Sequence, residues 1–365
     1  MASVAEIDPF RLEWMPRRLE QQHETSEFIP MPTGYRRRSL RSARLAPILL
    51  VMALSGCTAG SLLVTPVSAK RKLVETELSR DSLFALTKIA MIDVTGVIAN
   101  APRRQLLGGG EHPVSLLLEQ LDRARRDPWV KAVVLRLNSP GGTVVASELI
   151  YDEITRFRKS GKPIVAVMMD VAASGAYYIA CACDEIIAQP STVTGSIGVI
   201  MQMFDVSGTM NLIGVKTDAI TSGPFKDSGS PFRAMRPEDR EIFQGIVNDM
   251  YERFVAAIVR GRPALDEAAV RRLADGRIYT AQQALDEGLI DRIASLRVAI
   301  DLVKERIGAK RVRLVTYNRP LEYRPNYYAL GHTEPGGNIN LLNIEFAAGL
   351  IPPAPRFMYL WAPAR

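Results

Sequence analysis

The stretch that decides the fold is Val171-Ala-Ala-Ser-Gly-Ala-Tyr-Tyr178, which places one serine, Ser174, among small and aromatic residues. The apolar run Pro163–Met169 before it predicts a buried strand, and residues 176–183 predict a helix. A serine between a strand end and a helix start can present its hydroxyl outward while the next backbone N–H points into the same space. The alternative is an ordinary N-cap serine, the usual role of a serine before a helix.

The chain around this stretch alternates strands and helices, which predicts an α/β fold with a largely parallel sheet and covering helices. Hydrophobic periodicity predicts strands at 89–95, 131–137, 163–169 and 311–317, a strand-like run at 215–220, and helices at 114–126, 143–159, 237–261, 265–273 and 280–287. Apolar residues recur at helical intervals along the whole 237–261 segment, which predicts a helix that faces the core. Sites in open α/β sheets assemble at the carboxyl ends of the strands, and Ser174 lies at one of them.

A second strand–helix junction carries Pro140-Gly141-Gly142. Proline fixes one backbone dihedral and the glycines permit a positive φ without a Cβ, so their N–H groups can face a cavity at a helix start. The N–H of Gly142 could then join that of Gly175 in holding a carbonyl oxygen that becomes negative. Taken alone, Pro-Gly-Gly is simply a good turn.

A nucleophilic serine needs a base, and histidine is scarce in this chain. The only histidines are His23, His112 and His332, so none lies in the long span after Ser174 until the Pro/Gly-rich tail. A lysine whose pKa is lowered by burial can accept the proton instead. The downstream candidates are Lys216, Lys226, Lys304 and Lys310, and spacing alone does not choose among them.

Five sequence motifs help to distinguish among these lysines. NSPGG at 138–142, AASGAYYIA at 172–180, TGSIGVI at 194–200, SGPFKDSGSPFR at 222–233 and DGRIYTAQQALDEGLID at 275–291 occur in this order. Together they resemble the signal peptide peptidase A family, the Ser/Lys-dyad peptidases of the Clp/crotonase superfamily, over about residues 88–300. The resemblance implies Ser174 as nucleophile and Lys226 as general base. It also implies Ser196 as the residue that orients the lysine, and Gly142 and Gly175 as oxyanion donors.

The resemblance further implies a fold of Clp/crotonase-like ββα repeats and a serine endopeptidase that needs no metal or cofactor. Its substrates would be hydrophobic peptides such as cleaved signal peptides. Its protomers would form a homo-oligomeric ring or dome, for example an octamer, in which neighbours complete each site. Two alternatives come from other classes. One is an acyl-CoA enzyme of the same superfamily, and the other is a non-catalytic membrane scaffold.

Composition limits the remaining classes. With 365 residues, 47% hydrophobic content and a formal charge of +7, the chain can bury one large core. The basic residues are spread out and no aromatic stacking platform accompanies them, which argues against nucleic-acid binding. Cys181 and Cys183 are too close together for a metal site and predict small helix residues, not a disulfide framework.

The N-terminal region predicts attachment to a membrane. Five arginines between Arg36 and Arg44 precede the uncharged run Leu45–Leu54, and Leu54-Ser-Gly-Cys57 ends it. This tetrad resembles the lipobox of bacterial lipoproteins, with Cys57 as the lipidated residue. The alternative is a single-span anchor, since residues 45–64 carry no charge over about 20 positions. Either anchor places the rest of the chain outside a bacterial cytoplasm.

These observations divide the chain into five segments. We expect a start-site extension (1–30), a lipoprotein-type signal peptide (31–57), a linker with a lead-in helix (58–87), the peptidase domain (88–318) and an extended tail (319–365) that wraps a neighbour or threads toward the cleft.

Overall fold

The computed structural model of the chain describes residues 72–100, 112–319 and 357–361. Its strands are β1 (Val74–Arg80), β2 (Lys88–Thr95), β3 (Val130–Ser139), β4 (Gly141–Thr143), β5 (Ile164–Ala173), β6 (Glu185–Ala188), β7 (Val193–Gly195), β8 (Ile200–Met201), β9 (Ile278–Thr280), β10 (Arg292–Ile293), β11 (Arg313–Asn318) and β12 (Phe357–Leu360). Its helices are α1 (Pro113–Arg126), α2 (Val144–Arg158), α3 (Gly175–Ala180), α4 (Ser207–Leu212), α5 (Pro237–Gly261), α6 (Glu267–Leu273), α7 (Ala281–Asp286) and α8 (Leu296–Arg306). The predicted α/β class is confirmed.

The main sheet is largely parallel. Its strands follow the order β1-β11-β2-β3-β5-β6-β10, and β7 branches from β5 and pairs with β9. The pairs of β1 with β11 and of β7 with β9 are antiparallel, and the others are parallel. A separate three-stranded antiparallel sheet has the order β4-β12-β8. The carboxyl ends of β3, β5 and β7 therefore lie at one edge of the main sheet, where β4 begins.

Helices cover both faces of the main sheet, which explains why its central strands are almost continuously apolar. Residues of α1, α2, α3 and α5 pack with Ala90, Ile92 and Leu135 on one face. Residues of α8 pack with Ile89 and Val134 on the other. Each strand thus contributes successive side chains to opposite hydrophobic layers.

Several helix starts follow from local sequence. Thr280 and Gln283 form a reciprocal capping box at the start of α7. Pro237 begins α5, where its missing N–H costs no helical hydrogen bond. His112 caps α1, its Nδ1 accepting a hydrogen bond from the Ser115 N–H. His112 is therefore explained as a helix cap.

Two predicted elements are wrong. Residues 74–80 form strand β1 instead of part of a lead-in helix, because they pair with β11 at the edge of the sheet. The folded domain therefore begins before Lys88. Residues 215–220 form no strand, because they find no pairing partner within the described part of the chain.

Residues 198–253, which we call the arm, are mostly exposed. Asp239 is the one buried residue in this range, while Ile242 keeps 42% and Leu212 keeps 88% of its surface accessible. The expectation that all of α5 faces the core is wrong for its first half, because the core contacts of α5 begin near Phe254. Many apolar side chains of the arm are therefore left uncovered by the described residues.

No helix in the described ranges has both the length and the apolar character to cross a bilayer. The predicted anchor at 45–64 and the lipobox cysteine Cys57 lie outside the described residues.

A buried ion pair generates the first prediction. Arg136 and Asp93 face each other in register across β3 and β2, with bidentate contacts of 2.8 and 2.9 Å. The Arg136→Ala change removes this partner from a buried carboxylate, so we expect a loss of about 3–5 kcal/mol in the free energy of unfolding. Urea denaturation followed by circular dichroism measures it.

The matched control is Arg271→Ala, which removes an exposed ion pair of 2.6 Å to Glu252. Exposed pairs contribute less than about 1 kcal/mol, so this variant should unfold nearly as the parent protein does. Equal losses in the two variants would contradict the role given to Arg136.

Candidate active site

Ser174 occupies the junction between β5 and α3 with a strained backbone. Its φ is 54° and its ψ is −115°, and its N–H donates a 2.7 Å hydrogen bond to the Gly195 carbonyl oxygen. A positive φ is uncommon for any residue with a Cβ, and such strain is concentrated at functional sites. The predicted strand–serine–helix junction is therefore present.

The Ser174 hydroxyl is buried and lacks a hydrogen-bond partner. The residue is 1% exposed, and no described residue hydrogen-bonds its Oγ. A buried hydroxyl without a partner costs about 1–3 kcal/mol, so such a group calls for an explanation. The N-cap alternative does not supply one, because Ser174 makes no side-chain cap hydrogen bond to α3.

Gly142 approaches Gly175, the residue that directly follows Ser174. A Cβ placed on Gly175 would lie 3.2 Å from the Gly142 nitrogen and 2.5 Å from the Ser147 Oγ. A Cβ placed on Gly142 would overlap the Ile98 carbonyl oxygen. No side chain fits at either position, and the two backbone nitrogens come close because both residues are glycine.

The strand register brings Ser196 next to Ser174. β5 and β7 are parallel with Ala173 opposite Gly195, so the next residues of the two strands are Ser174 and Ser196. Ser196 has φ 50° and donates its N–H to the Arg277 carbonyl oxygen at 2.7 Å. Within the described part of the chain, these two serines are the non-glycine residues with a positive φ.

Lys226 is not brought to Ser174 within one chain. It is exposed on the arm, and its described hydrogen bond is the 3.2 Å contact from its backbone N–H to the Gly223 carbonyl oxygen. Of the five predicted catalytic residues, the fold therefore gathers Ser174, Gly142, Gly175 and Ser196 and leaves Lys226 apart.

A cluster of charges holds the Lys226 loop, and sequence reasoning missed it. Arg233 bonds Asp227 and Asp239 at 2.6 Å each, Arg236 bonds Asp239 at 3.0 Å, and the Ser228 hydroxyl donates to Asp239 at 2.6 Å. Hydrogen bonds from Arg236, then Arg233 and Ser228, hold the pKa of Asp239 well below its ordinary value. The sequence did carry a signal for this cluster, because Asp227, Arg233 and Arg236 shortly precede Pro237 and Asp239 shortly follows it.

The cysteines after α3 are structural. Cys181 and Cys183 are buried and free, and burial raises the pKa of the Cys181 thiol to about 12. Protonated buried thiols are poor nucleophiles, so neither competes with Ser174.

Comparison with known proteins agrees with this geometry. A family model described as Peptidase family S49 matches residues 156–310. "Putative signal peptide peptidase SppA" of Enterococcus faecium is 38% identical over 230 residues, which cover 63% of this chain and 67% of that protein. "Protease 4" of Salmonella typhi is 35% identical over 229 residues, 63% of this chain and 36% of that protein. "Serine protease SPPA, chloroplastic" of Arabidopsis thaliana is 34% identical over 245 residues, 66% of this chain and 36% of that protein.

The fold, the strained buried serine and these relatives define a peptidase of the serine type. The chain belongs to peptidase family S49. This membership favours the peptidase interpretation over the acyl-CoA enzyme and the scaffold.

The charge cluster generates the second prediction. We expect Asp239→Asn to weaken the charge-assisted hydrogen bonds that hold residues 221–236, so amide hydrogen exchange there should become about tenfold faster at pH 7. The folded pKa of Asp239 is lowered, so its stabilising contribution is complete above about pH 4, the ordinary carboxyl pKa. It is lost as the pH falls from there toward the lowered value.

Asp218→Asn is the matched control, since Asp218 is exposed on the same arm and has no ion pair within the described residues. Mass spectrometry of exchanged peptides compares the two variants. Identical exchange in both would show that the Asp239 cluster does not fix the Lys226 loop.

Proposed function

We propose that this chain is a membrane-attached serine endopeptidase in which Ser174 and Lys226 form a catalytic dyad that degrades hydrophobic peptides. The observation that carries the proposal is the buried Ser174 hydroxyl. It has no hydrogen-bond partner in the described part of the chain, and it belongs to a strained junction whose next residue, Gly175, is closely approached by Gly142.

The roles follow from the chemistry of acyl transfer. Neutral Lys226 takes the proton of the Ser174 hydroxyl, and the alkoxide attacks a substrate carbonyl carbon. The N–H groups of Gly142 and Gly175 stabilise the oxyanion, and loss of one such donor costs about 3 kcal/mol of transition-state stabilisation. Lys226 then protonates the leaving amine and activates the water that hydrolyses the acyl-enzyme. Ser196 accepts a hydrogen bond that orients the lysine amine.

Lys226 comes from a neighbouring copy of the chain in this proposal. No described residue hydrogen-bonds the Ser174 hydroxyl, while Lys226 is exposed on an arm with exposed apolar side chains. Covering the arm with a neighbour buries that surface. It also removes the lysine from water, and an amine without water around it favours its neutral form, which can accept a proton. A closed ring or dome of such contacts gives every serine one lysine.

The substrate class rests on the relatives and on the composition of the site. A relative named as a signal peptide peptidase suggests cleaved signal peptides, which are short and apolar. Val199 and Ile200 are apolar and come three and four residues after Ser196, and the Ile200 side chain is exposed. Such a surface favours apolar substrate side chains.

Membrane attachment fits this substrate class, because cleaved signal peptides remain in the bilayer. The arginine-rich segment 36–44, the uncharged run 45–54 and Cys57 support a lipid anchor on the extracytoplasmic side.

The dyad generates the third prediction. We expect Ser174→Ala to abolish hydrolysis of a fluorogenic apolar peptide and Lys226→Ala to reduce it at least about 1,000-fold, since nucleophile and base act as a unit. Co-expression of the two variants with different tags should restore about one quarter of the parent activity in mixed oligomers, because random neighbours complete a quarter of the sites.

Lys216→Ala is the control, since Lys216 is an exposed lysine on the same arm. It should retain near-parent turnover. Turnover that survives in purified Ser174→Ala or Lys226→Ala protein would refute the dyad. Mixed oligomers that carry both tags and stay inactive would instead place the base in the same chain as its serine.

The anchor generates the fourth prediction. Cells grown with labelled palmitate should incorporate the label into the parent protein and lose it in the Cys57→Ala variant. Cys183→Ala, which changes a buried cysteine, should keep the label. An unlabelled parent protein that still sediments with membranes would favour the single-span anchor at residues 45–64.

A further inference from the structure

Strand β5 is irregular shortly before Ser174. Its pairing with β3 is regular up to Met168 and resumes at Ala172, but the matching residues of β3 are only two positions apart. Asn138 of β3 therefore faces three residues of β5, 169–171, which we call the bulge. Bulges of this kind leave ladder hydrogen bonds unmade, and they are common beside active sites, where they redirect a side chain.

Strand β5 also changes its neighbour at the bulge. Up to Met168 it pairs with β6, and from Val171 onward it pairs with β7. The first pair of the new ladder is Val171 with Val193. Ser174 and Ser196 each follow that pair by three residues. The position of both serines relative to the rest of the sheet therefore depends on the bulge.

The Asn138 side chain supplies hydrogen bonds that the bulge removes from the ladder. Its Oδ1 accepts a 3.2 Å hydrogen bond from the Val171 N–H, and its Nδ2 donates to the Asp170 carboxylate at 3.0 Å. Its backbone carbonyl oxygen accepts the Gly96 N–H at 3.0 Å, so the residue is also held from the side of β2. One side chain thus fixes two of the three bulge residues.

The other side of the bulge is held by Thr192, a buried residue just before β7. Its hydroxyl donates a 2.5 Å hydrogen bond to the Met169 carbonyl oxygen. All three bulge residues thus bond to a side chain of a neighbouring segment, two of them to Asn138 and one to Thr192. Asn138 makes the contact from the β3 side, where the ladder is interrupted.

Asn138 also begins the segment that leads to Gly142. The next residue, Ser139, is buried, and its Oγ accepts the Gly141 N–H at 3.1 Å within the turn. The amide of Asn138 therefore links the segment of a proposed oxyanion donor to the strand of the proposed nucleophile. A misplacement of about 1 Å between reacting groups can slow a reaction about 100-fold.

We propose that Asn138 is a positioning residue, whose two side-chain hydrogen bonds to β5 fix Ser174 relative to Gly142. This inference rests on the proposed function and adds a residue to it. Asn138 itself takes no part in proton transfer or acyl transfer. Its loss should therefore slow the reaction of Ser174, while an extended peptide still binds.

Steady-state kinetics on a fluorogenic apolar peptide tests this role. We expect Asn138→Ala to lower kcat about 10- to 100-fold and to change KM less than about twofold. The rate at which a small fluorophosphonate labels Ser174 should also fall at least about tenfold, because this probe reports on the nucleophile without a bound peptide. Ser295→Ala is the control, since it removes the exposed N-cap of α8 and leaves the bulge intact, so it should keep the parent kcat.

A second set of variants exchanges the amide and the carboxylate. Asn138→Asp places two carboxylates side by side and should lower kcat as Asn138→Ala does. Asp170→Asn keeps an acceptor for the Asn138 amide and should stay near the parent. In the double variant the new carboxylate accepts from both the Val171 N–H and the new amide, so kcat should recover to within about threefold of the parent. A role that depends on side-chain size alone predicts no such recovery.

The other outcomes overturn the inference. A folded Asn138→Ala protein with the parent kcat and labelling rate refutes it and leaves the proposed function standing. A loss confined to KM assigns Asn138 to peptide binding instead. If circular dichroism shows that Asn138→Ala does not fold, the exchange variants decide, and a double variant no more active than Asn138→Asp refutes the inference. A parent protein that neither hydrolyses peptides nor reacts with the fluorophosphonate refutes the proposed function, and this inference with it.

Discussion

The architecture of the site depends on the positive φ that the sheet imposes on Ser174. The parallel pairing of β5 with β7 fixes this backbone, because the Ser174 N–H is bonded to the Gly195 carbonyl oxygen just after Ala173 and Gly195 pair. A helix then starts at Gly175, and the strained turn leaves the serine hydroxyl outside the hydrogen bonding of both elements. Strain of this kind persists only where surrounding contacts over-determine it. Here the surroundings are the buried centre of a sheet with helices on both faces.

Close backbone packing around the site depends on two glycines. With no Cβ at 142 or 175, Ile98, Gly142 and Gly175 approach more closely than residues with side chains could. Gly142 lies between two strands, because its neighbours Gly141 and Thr143 exchange hydrogen bonds with Ile98 on one side. The Gly142 N–H is consequently free to face the other side, where β12 lies. One glycine therefore separates the packed core from the edge that pairs with β12.

The sequence predicted the parts of this arrangement that depend on local chemistry. The strand before Ser174, the proline start of α5 and the Thr280 cap were each readable from a few adjacent residues. Prediction from the sequence failed where the structure of a segment depends on residues that are far away in the chain. The segment 74–80 becomes a strand only because β11 offers it an edge, and the first half of α5 has a core-like pattern without a core to face. Apolar periodicity predicts that one face of a helix is buried. It does not predict whether the same chain or another chain buries that face.

The contacts of β12 differ between its backbone and its side chains. Its backbone pairs with β4 and β8, and these contacts are available to almost any extended peptide. Side-chain selection is confined to one buried position, where Tyr359 meets Tyr178, Phe254 and the Met250 carbonyl. In the proposed function, a cleft built in this way recognises an extended chain with one suitable aromatic or apolar residue. A folded protein cannot supply that chain, because its strands are already paired and its aromatic side chains are already buried. In the proposed function, selection for unfolded apolar peptides follows from the strand edges themselves and requires no further recognition element.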